Sequence, residues 1–526
     1  MKLLTRKQLP LYALSGFGPN FLMTIVTAYL IDALSTAGFV QNVESWTFAN
    51  KTIVYMAVFS VLVTIAKIID GVIDVPLAAM TDTLKTKWGK RRPSILIGFV
   101  PMVLTFVALC FPLSHQENSI LNTVWIFLML VLFFSSYTLC LVTYYGTFSE
   151  VTANIRDRSY LSYWKSFFDT IQYSIAYALI PLIVGFDINI QWIAIGSLPL
   201  MFTMLIPLFL LKEKSTLPAD ISAEDLAEEE RKKAEEVPFF QSIKLSFGNR
   251  NFMIWMGVFS VFFFGLQMFL TGQNVLASGA MGLNGWQIAI INSAAFAPVP
   301  LMLFIYNKVM KRWGFRTAFQ TAILSFALAM TFFAVANKNI ISNEYIRLAI
   351  GATGSTIGSY GIGAFFSSPY IIPSHIAAEE TKKTGKHHPS MYFAVQGLIN
   401  AVVGALSTGV VWLNIKGITK GGDTTFGASL MPYIVIGACV IAFGLTFVLP
   451  KMFSRLGRTL KGLQQDDGDG TAGGEAPALQ DVKPEQLDEN LDEVLNEEVV
   501  ENAEEKLDEA PQEVAEEQND EAPQEA

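Results

Sequence analysis

Charge is the scarcest thing in this chain. Only 16% of its 526 residues are Asp, Glu, Lys or Arg, against about a quarter in a soluble domain. From Asn251 to Asn307 there is none, and none again from His387 to Asn414. Cysteine is nearly absent: Cys110, Cys140 and Cys439 all sit in apolar runs, which excludes a disulfide framework. Four histidines, two of them adjacent at His387 and His388, offer no metal-ligand spacing. There is no phosphate-cradling glycine loop and no clear nucleophile–base pairing. An enzyme is therefore not expected, nor a resident cofactor or a nucleic-acid partner.

What is there is apolar. Hydrophobic residues make up 52% of the chain, in runs of about 20, long enough to cross about 30 Å of hydrocarbon. Twelve such spans can be marked, near 11–35, 52–80, 94–113, 120–147, 160–185, 189–211, 251–273, 285–309, 315–336, 344–374, 390–415 and 427–450. The basic, then apolar start "MKLLTRKQLPLYALSG" lacks a small-residue cleavage site and reads as an uncleaved first span. The net charge of −9 hides two populations: from Asp466 onward there are 23 acidic residues and 2 lysines, so residues 1–465 are net basic. The expected organisation is a six-helix bundle (1–211), a charged middle loop (212–250), a second six-helix bundle (251–452) and an acidic tail (453–526). The tail is too polar to bury a core and is expected to be largely disordered, with no partner that the sequence names.

Connections after even-numbered spans carry the basic residues: Lys85 to Arg92, Arg156 and Arg158, the middle loop, Lys308 to Arg316, and Lys382 to Lys386. The opposite connections have few. Positive charge stays on the cytoplasmic side, so both termini are expected there, in a plasma membrane. The connections "KTKWGKRRPSIL" and "KVMKRWGFRTAF" stand at matching places in the two halves, both Trp-Gly in a basic turn. Parallel six-helix repeats of this kind build the major facilitator transporters, an all-α membrane fold of twelve helices in two pseudo-repeats.

The few charges inside spans are concentrated in the first half: Asp32, Lys67, Asp70, Asp74, Lys165 and Asp169. Each costs about 2.5–3.5 kcal/mol at mid-membrane on insertion scales, so each needs a partner, water or a ligand. Lys67, Asp70 and Asp74 fall at 0, +3 and +7, one helical stripe. Lys67 is expected to pair with Asp70. Two carboxylates one turn apart suit Na⁺ or H⁺ as a coupling ion.

The stretch "AKIIDGVIDVPLAAMTDTLKTKWGKRRPSILIG" resembles the second span and following loop of the glycoside–pentoside–hexuronide:cation symporters. Its landmarks are Lys67, Asp70, Asp74, Pro76, Asp82, Trp88, Gly89, Lys90, Arg92 and Pro93. "YYGTFSEVTANIRDRSYLSYWKSFF" and "KKTGKHHPSMYFAVQGLINAVVGAL" are similar to two further family stretches, in the right order. The resemblance implies Asp70, Asp74 and Thr138 as cation ligands. It also shows departures: Leu141, Asn20 and Ala401 stand where the sugar-binding pattern has Asp, Asp and Lys. A neutral, aromatic-rich cavity is expected, with Asn20, Tyr144, Tyr145, Trp164, Lys165, Gln396 and Asn400 as candidate substrate contacts. Asp82, Trp88, Gly89, Lys90, Arg91 and Arg92 are expected to form a cytoplasmic gate. The function implied is cation-coupled symport of a sugar or glycoside by a monomer in the lipid bilayer. The alternatives are another small or amphiphilic, lipid-like solute, or a non-transporting sensor on the same fold.

Overall fold

The structure, a computed structural model, describes residues 3–152, 155–217, 246–384, 389–450 and 453–454. These fall in one compact unit, residues 1–459; a second unit, 460–526, lies outside them. Of the expected middle loop, residues 218–245 lie outside the described residues, as does the tail from residue 455.

Twelve long helices run through the described residues. They are α1 (Leu9–Ala33), α2 (Met56–Thr83), α3 (Arg91–Cys110), α4 (Ile120–Gly146), α5 (Ile155–Val184) and α6 (Ile190–Leu210), then α7 (Arg250–Ala280), α8 (Gly285–Trp313), α9 (Phe315–Val335), α10 (Glu344–Thr384), α11 (389–415) and α12 (Phe426–Val448). Each coincides with an expected span. Eleven are both long and apolar enough to cross a membrane. The exception is α10, whose Gly- and Ser-rich stretch lowers its apolarity. Those small residues serve packing instead: Gly354, Gly358 and Gly361 lie against Phe332, Ala329 and Phe326 of α9, the close approach that small residues permit between membrane helices. Large apolar side chains such as Ile97, Leu104, Leu132, Phe209, Phe304 and Ile441 are exposed on the outside, where a bilayer would cover them.

The two halves meet chiefly through α2 against α11 and α5 against α8. The α5–α8 contact is a backbone one. A Cβ on Gly285 would stand 2.4 Å from the Pro181 carbonyl oxygen and 2.5 Å from the Gly185 nitrogen. Beside it Tyr177 of α5 stacks on Phe296 of α8 at 4.5 Å between ring centroids, and Asn292 donates to the Tyr177 carbonyl at 2.7 Å. Three helices contain a π-helical segment: α1 at Val26–Leu30, α7 at Leu276–Ala280 and α11 at Ala405–Trp412.

The glycines of the two Trp-Gly turns both have positive φ. Gly89 between α2 and α3 has φ +85°, and Gly314 between α8 and α9 has φ +89°, a region glycine enters without steric cost. The Gly89 turn is also held chemically. The Glu213 carboxylate accepts from the backbone N–H groups of Arg91 and Arg92 at 3.1 Å, the first free donors of α3. Burial pushes the Glu213 carboxyl up, against the pull of those N–H groups. The buried Arg91 guanidinium donates to Glu150 at 2.7 Å. Two acids thus supply the negative charge that a basic helix start lacks.

Two outcomes are expected. Gly285→Val forces α5 and α8 apart and lowers stability by about 1–3 kcal/mol, the usual range for overpacking, read as a fall in thermal midpoint in detergent. Glu213→Ala costs about 1 kcal/mol, as a lost helix cap does, with faster amide exchange confined to the first turn of α3.

Candidate functional site

Between the halves lies a cavity of about 480 Å³, with walls from α1, α2, α4, α5, α7, α10 and α11. On its α2 wall stand Lys67 and Asp70, one turn apart on the stripe that the sequence predicts. The Thr138 hydroxyl, from α4, donates to Asp70 Oδ1 at 3.0 Å. A carboxylate on the cavity wall thus has a neutral hydroxyl beside it, in a region where apolar helices exclude most water.

Lys67 does something else than expected. Its hydrogen bond goes to Thr408 Oγ1 at 2.7 Å, on α11 in the other half, rather than to Asp70. A lysine stem reaches several ångströms, and the α2–α11 packing brings an acceptor within that reach; 341 positions separate the two residues in the chain. Asp74 sits one turn beyond Asp70 on α2; its side chain, like that of Asp82, lies outside the described residues.

The α1–α5 wall is a wired polar network. Tyr137 donates to Asn20 Oδ1 at 2.9 Å, and Asn20 Nδ2 donates to Asp169 Oδ1 at 2.8 Å. The Lys165 ammonium contacts both Asp169 oxygens and lies over the Tyr145 ring, 5.3 Å from its centroid. Lys165 therefore reaches the cavity through Asp169 rather than as a lining residue. The opposite wall is neutral: Gln267, Asn400 and the rings of Phe263 and Phe366. Asn400 Oδ1 has no hydrogen-bond partner among the described residues. Tyr173 of α5 and Phe366 of α10 close the cavity across the halves, 5.5 Å between centroids.

Of the candidate substrate residues, Asn20, Tyr145 and Asn400 line this cavity and four others do not. Tyr144 is a correction: it is fully buried, and its hydroxyl is spent on the Tyr12 and Ala13 carbonyls at 3.0 and 3.1 Å. Adjacent positions on a helix point about 100° apart, so Tyr145 faces the cavity and Tyr144 faces α1. Trp164 packs among Phe167, Phe168 and Tyr160. Gln396 is buried and donates to the Pro369 carbonyl at 3.1 Å. In the expected gate, Trp88 is exposed, and the described hydrogen bonds and ion pairs of Gly89, Lys90, Arg91 and Arg92 run to the first half and to Glu213, just after α6. Sequence reasoning passes over Tyr137, Tyr173 and Phe366, whose aromatic side chains are ordinary in a membrane helix; Gln267 stands out only as a neutral polar residue of the second half, and Asp169 as a charge with a further signal, its i,i+4 spacing from Lys165.

Comparison with known proteins agrees with this architecture. Residues 11–455 match the family described as MFS/sugar transport protein. Lactose permease of Lactobacillus helveticus is 28% identical over 186 residues, covering 34% of this chain and 28% of that protein. An uncharacterized symporter of Synechocystis sp. is 20% identical over 480 residues, 77% of this chain and 84% of that protein. The lactose permease match thus spans little more than a quarter of that relative's length. Among solved structures, a bacterial homolog of the human lysosomal transporter Spinster, inward-facing and unoccupied, superposes with a TM-score of 0.57 at 13% identity, over 87% of this chain and 99% of that one. The nucleoside transporter NupG gives 0.55 at 14% identity, over 85% and 98%. These likenesses are of fold. With the family match running through all twelve helices, the chain belongs to the MFS/sugar transport protein family and is a membrane transporter of the major facilitator type.

Proposed function

We propose that this protein couples the entry of a cation, Na⁺ or H⁺, to the transport of a sugar or glycoside by alternating access. The observation that carries this reading is Asp70: a carboxylate on the cavity wall with a threonine hydroxyl at 3.0 Å. A cation there neutralises a charge that the surrounding hydrocarbon penalises. In the sequence Asp74 stands four positions after Asp70, a spacing that puts the two positions on one helix face. The lactose permease and symporter relatives support sugar and symport respectively.

The walls suit a neutral polyhydroxylated solute. Asn20, Asp169 and Tyr137 offer donors and acceptors on one side, and Asn400 offers an unpaired carbonyl oxygen on the other. Tyr173 and Phe366 offer ring faces on which the apolar face of a sugar ring can lie. Within the proposal the Gly89 face is cytoplasmic, both termini lie there, the membrane is the plasma membrane, and the protein works as a monomer. The Gly89 turn then braces the first half at that face, since Glu150, after α4, and Glu213, after α6, tie it to neighbouring segments.

The test is uptake of a panel of radiolabelled sugars into proteoliposomes under imposed Na⁺ or H⁺ gradients. Asp70→Asn is expected to abolish gradient-driven accumulation while leaving counterflow exchange measurable; full accumulation in this variant would sink the proposal. Thr138→Val removes a hydrogen bond to a charged group, worth about 1.5–3 kcal/mol. With Na⁺ as the cation, loss of this oxygen is expected to raise the concentration for half-maximal uptake about tenfold or more; with H⁺, loss of a donor that favours the ionised carboxyl lowers it instead; in both cases the sugar dependence at saturating cation is unchanged.

A further inference from the structure

Three residues of α11 stand four apart, Thr408, Trp412 and Lys416, on the π-helical segment and the turn that follows it. Each holds a charged side chain of the first half. Thr408 accepts from Lys67 of α2 at 2.7 Å. Trp412 Nε1 donates to Asp32 Oδ2 of α1 at 3.3 Å. Lys416 Nζ donates to Asp32 Oδ1 at 2.5 Å. Lys416 is 0% exposed and Asp32 2%, so the ion pair has no water to fall back on. Transport chemistry at Asp70 does not account for this stripe.

We propose that Asp32 and Lys67 exchange partners during the cycle: when α11 draws away they leave its stripe and pair with each other, which withdraws Lys67 from Asp70 and readies that carboxylate for the coupling cation. The inference rests on the alternating-access reading above. It follows from which residues travel together. Asp32 and Lys67 belong to the first half; Thr408, Trp412 and Lys416 all belong to one helix of the second. Separation at this face strips both charges of their α11 contacts in a single movement. Lys416, at the end of α11, then reaches water, whereas Asp32 and Lys67 remain among apolar helices where an unpaired charge is costly. Among the described residues, Asp70 and Asp32 are the carboxylates whose charge acts on Lys67. Freed of Lys416, Asp32 competes with Asp70 for that ammonium. Opening one face and preparing the cation site thus become one event.

A simple latch and a partner exchange differ in sign. If the pair only fastens the face, removing either member loosens it alike. Under exchange, Asp32→Asn leaves Lys67 with Asp70 alone and weakens cation binding. Lys416→Met frees Asp32 for Lys67 and does not weaken it. The experiment uses full-length protein in proteoliposomes and reads the half-maximal concentration of the coupling cation. Asp32→Asn is expected to raise it about tenfold or more, the size of a lost opposite charge beside a carboxyl, and Lys416→Met to lower it or leave it unchanged. The neutral double variant, Asp32→Asn with Lys416→Met, leaves no unpaired charge at the face and is expected to follow Asp32→Asn; it stands in if Lys416→Met does not fold.

Opening is read separately by thiol labelling of Ser278→Cys. Ser278 is fully buried and donates to the Gln41 carbonyl of the other half at 3.3 Å, and the three native cysteines are buried. Both single variants are expected to raise labelling several-fold. Equal shifts of the cation dependence in the two single variants, or labelling unchanged in both, would overturn the exchange. If no cation gradient drives uptake by the unaltered protein, the coupling reading fails and the exchange, which readies the cation site, fails with it; raised labelling then leaves a latch alone. Gradient-driven uptake with equal shifts in the two single variants overturns the exchange and leaves the coupling reading standing.

Discussion

Among the described residues, the buried pair of Asp32 and Lys416 is the ion pair that ties the two halves together. It joins α1 to α11 where neither group has access to water. Removing one partner from such a pair costs about 3–5 kcal/mol, because the other charge is left uncompensated. Trp412 adds a donor to the same carboxylate, and the α11 backbone adopts a π-helical segment at this level. Such segments are frequent at functional sites. Around the pair, α5 and α8 approach within backbone contact at Gly185 and Gly285. Of the helices so joined, α1, α5 and α11 also form walls of the cavity.

The cavity has two unlike walls. The first half supplies charge: Lys67, Asp70, Asp169 and, behind it, Lys165. The second half supplies amides and rings. This division has a physical consequence. Asp70 and Asp169 find their partners within the first half, in Thr138, Asn20 and Lys165, while Lys67 reaches across to Thr408; a neutral facing wall imposes no fixed ion pair across the cavity. The described ion pair between the halves, Asp32 with Lys416, stands outside the cavity lining.

Much of this was legible in the residues. Apolar runs of the length of a bilayer placed all twelve helices, and the glycines of the two Trp-Gly turns both take positive φ. The stripe of Lys67 and Asp70 faces the cavity as the helical period requires. Other features were not legible. Tyr144 and Tyr145 are equivalent as letters, and only the neighbours of α4 decide which one faces the cavity. Lys416 lies in "NIKGITKGGDTTF", beside Lys420, and reads as one more loop lysine. That it is wholly buried against a carboxylate almost four hundred positions earlier depends on how α1 and α11 pack.

By itself the sequence determined that the chain crosses a membrane repeatedly, where its helices lie, and which helix carries charges that need an explanation. These are local matters, set by the cost of polar groups in hydrocarbon and by the period of a helix. The tertiary structure alone decided the partners: Lys67 with Thr408, Asp32 with Lys416, Asn20 with Asp169. A charge in an apolar helix announces that a partner is required. Which partner it finds is set by the packing of helices far apart in the chain, and no local pattern encodes it.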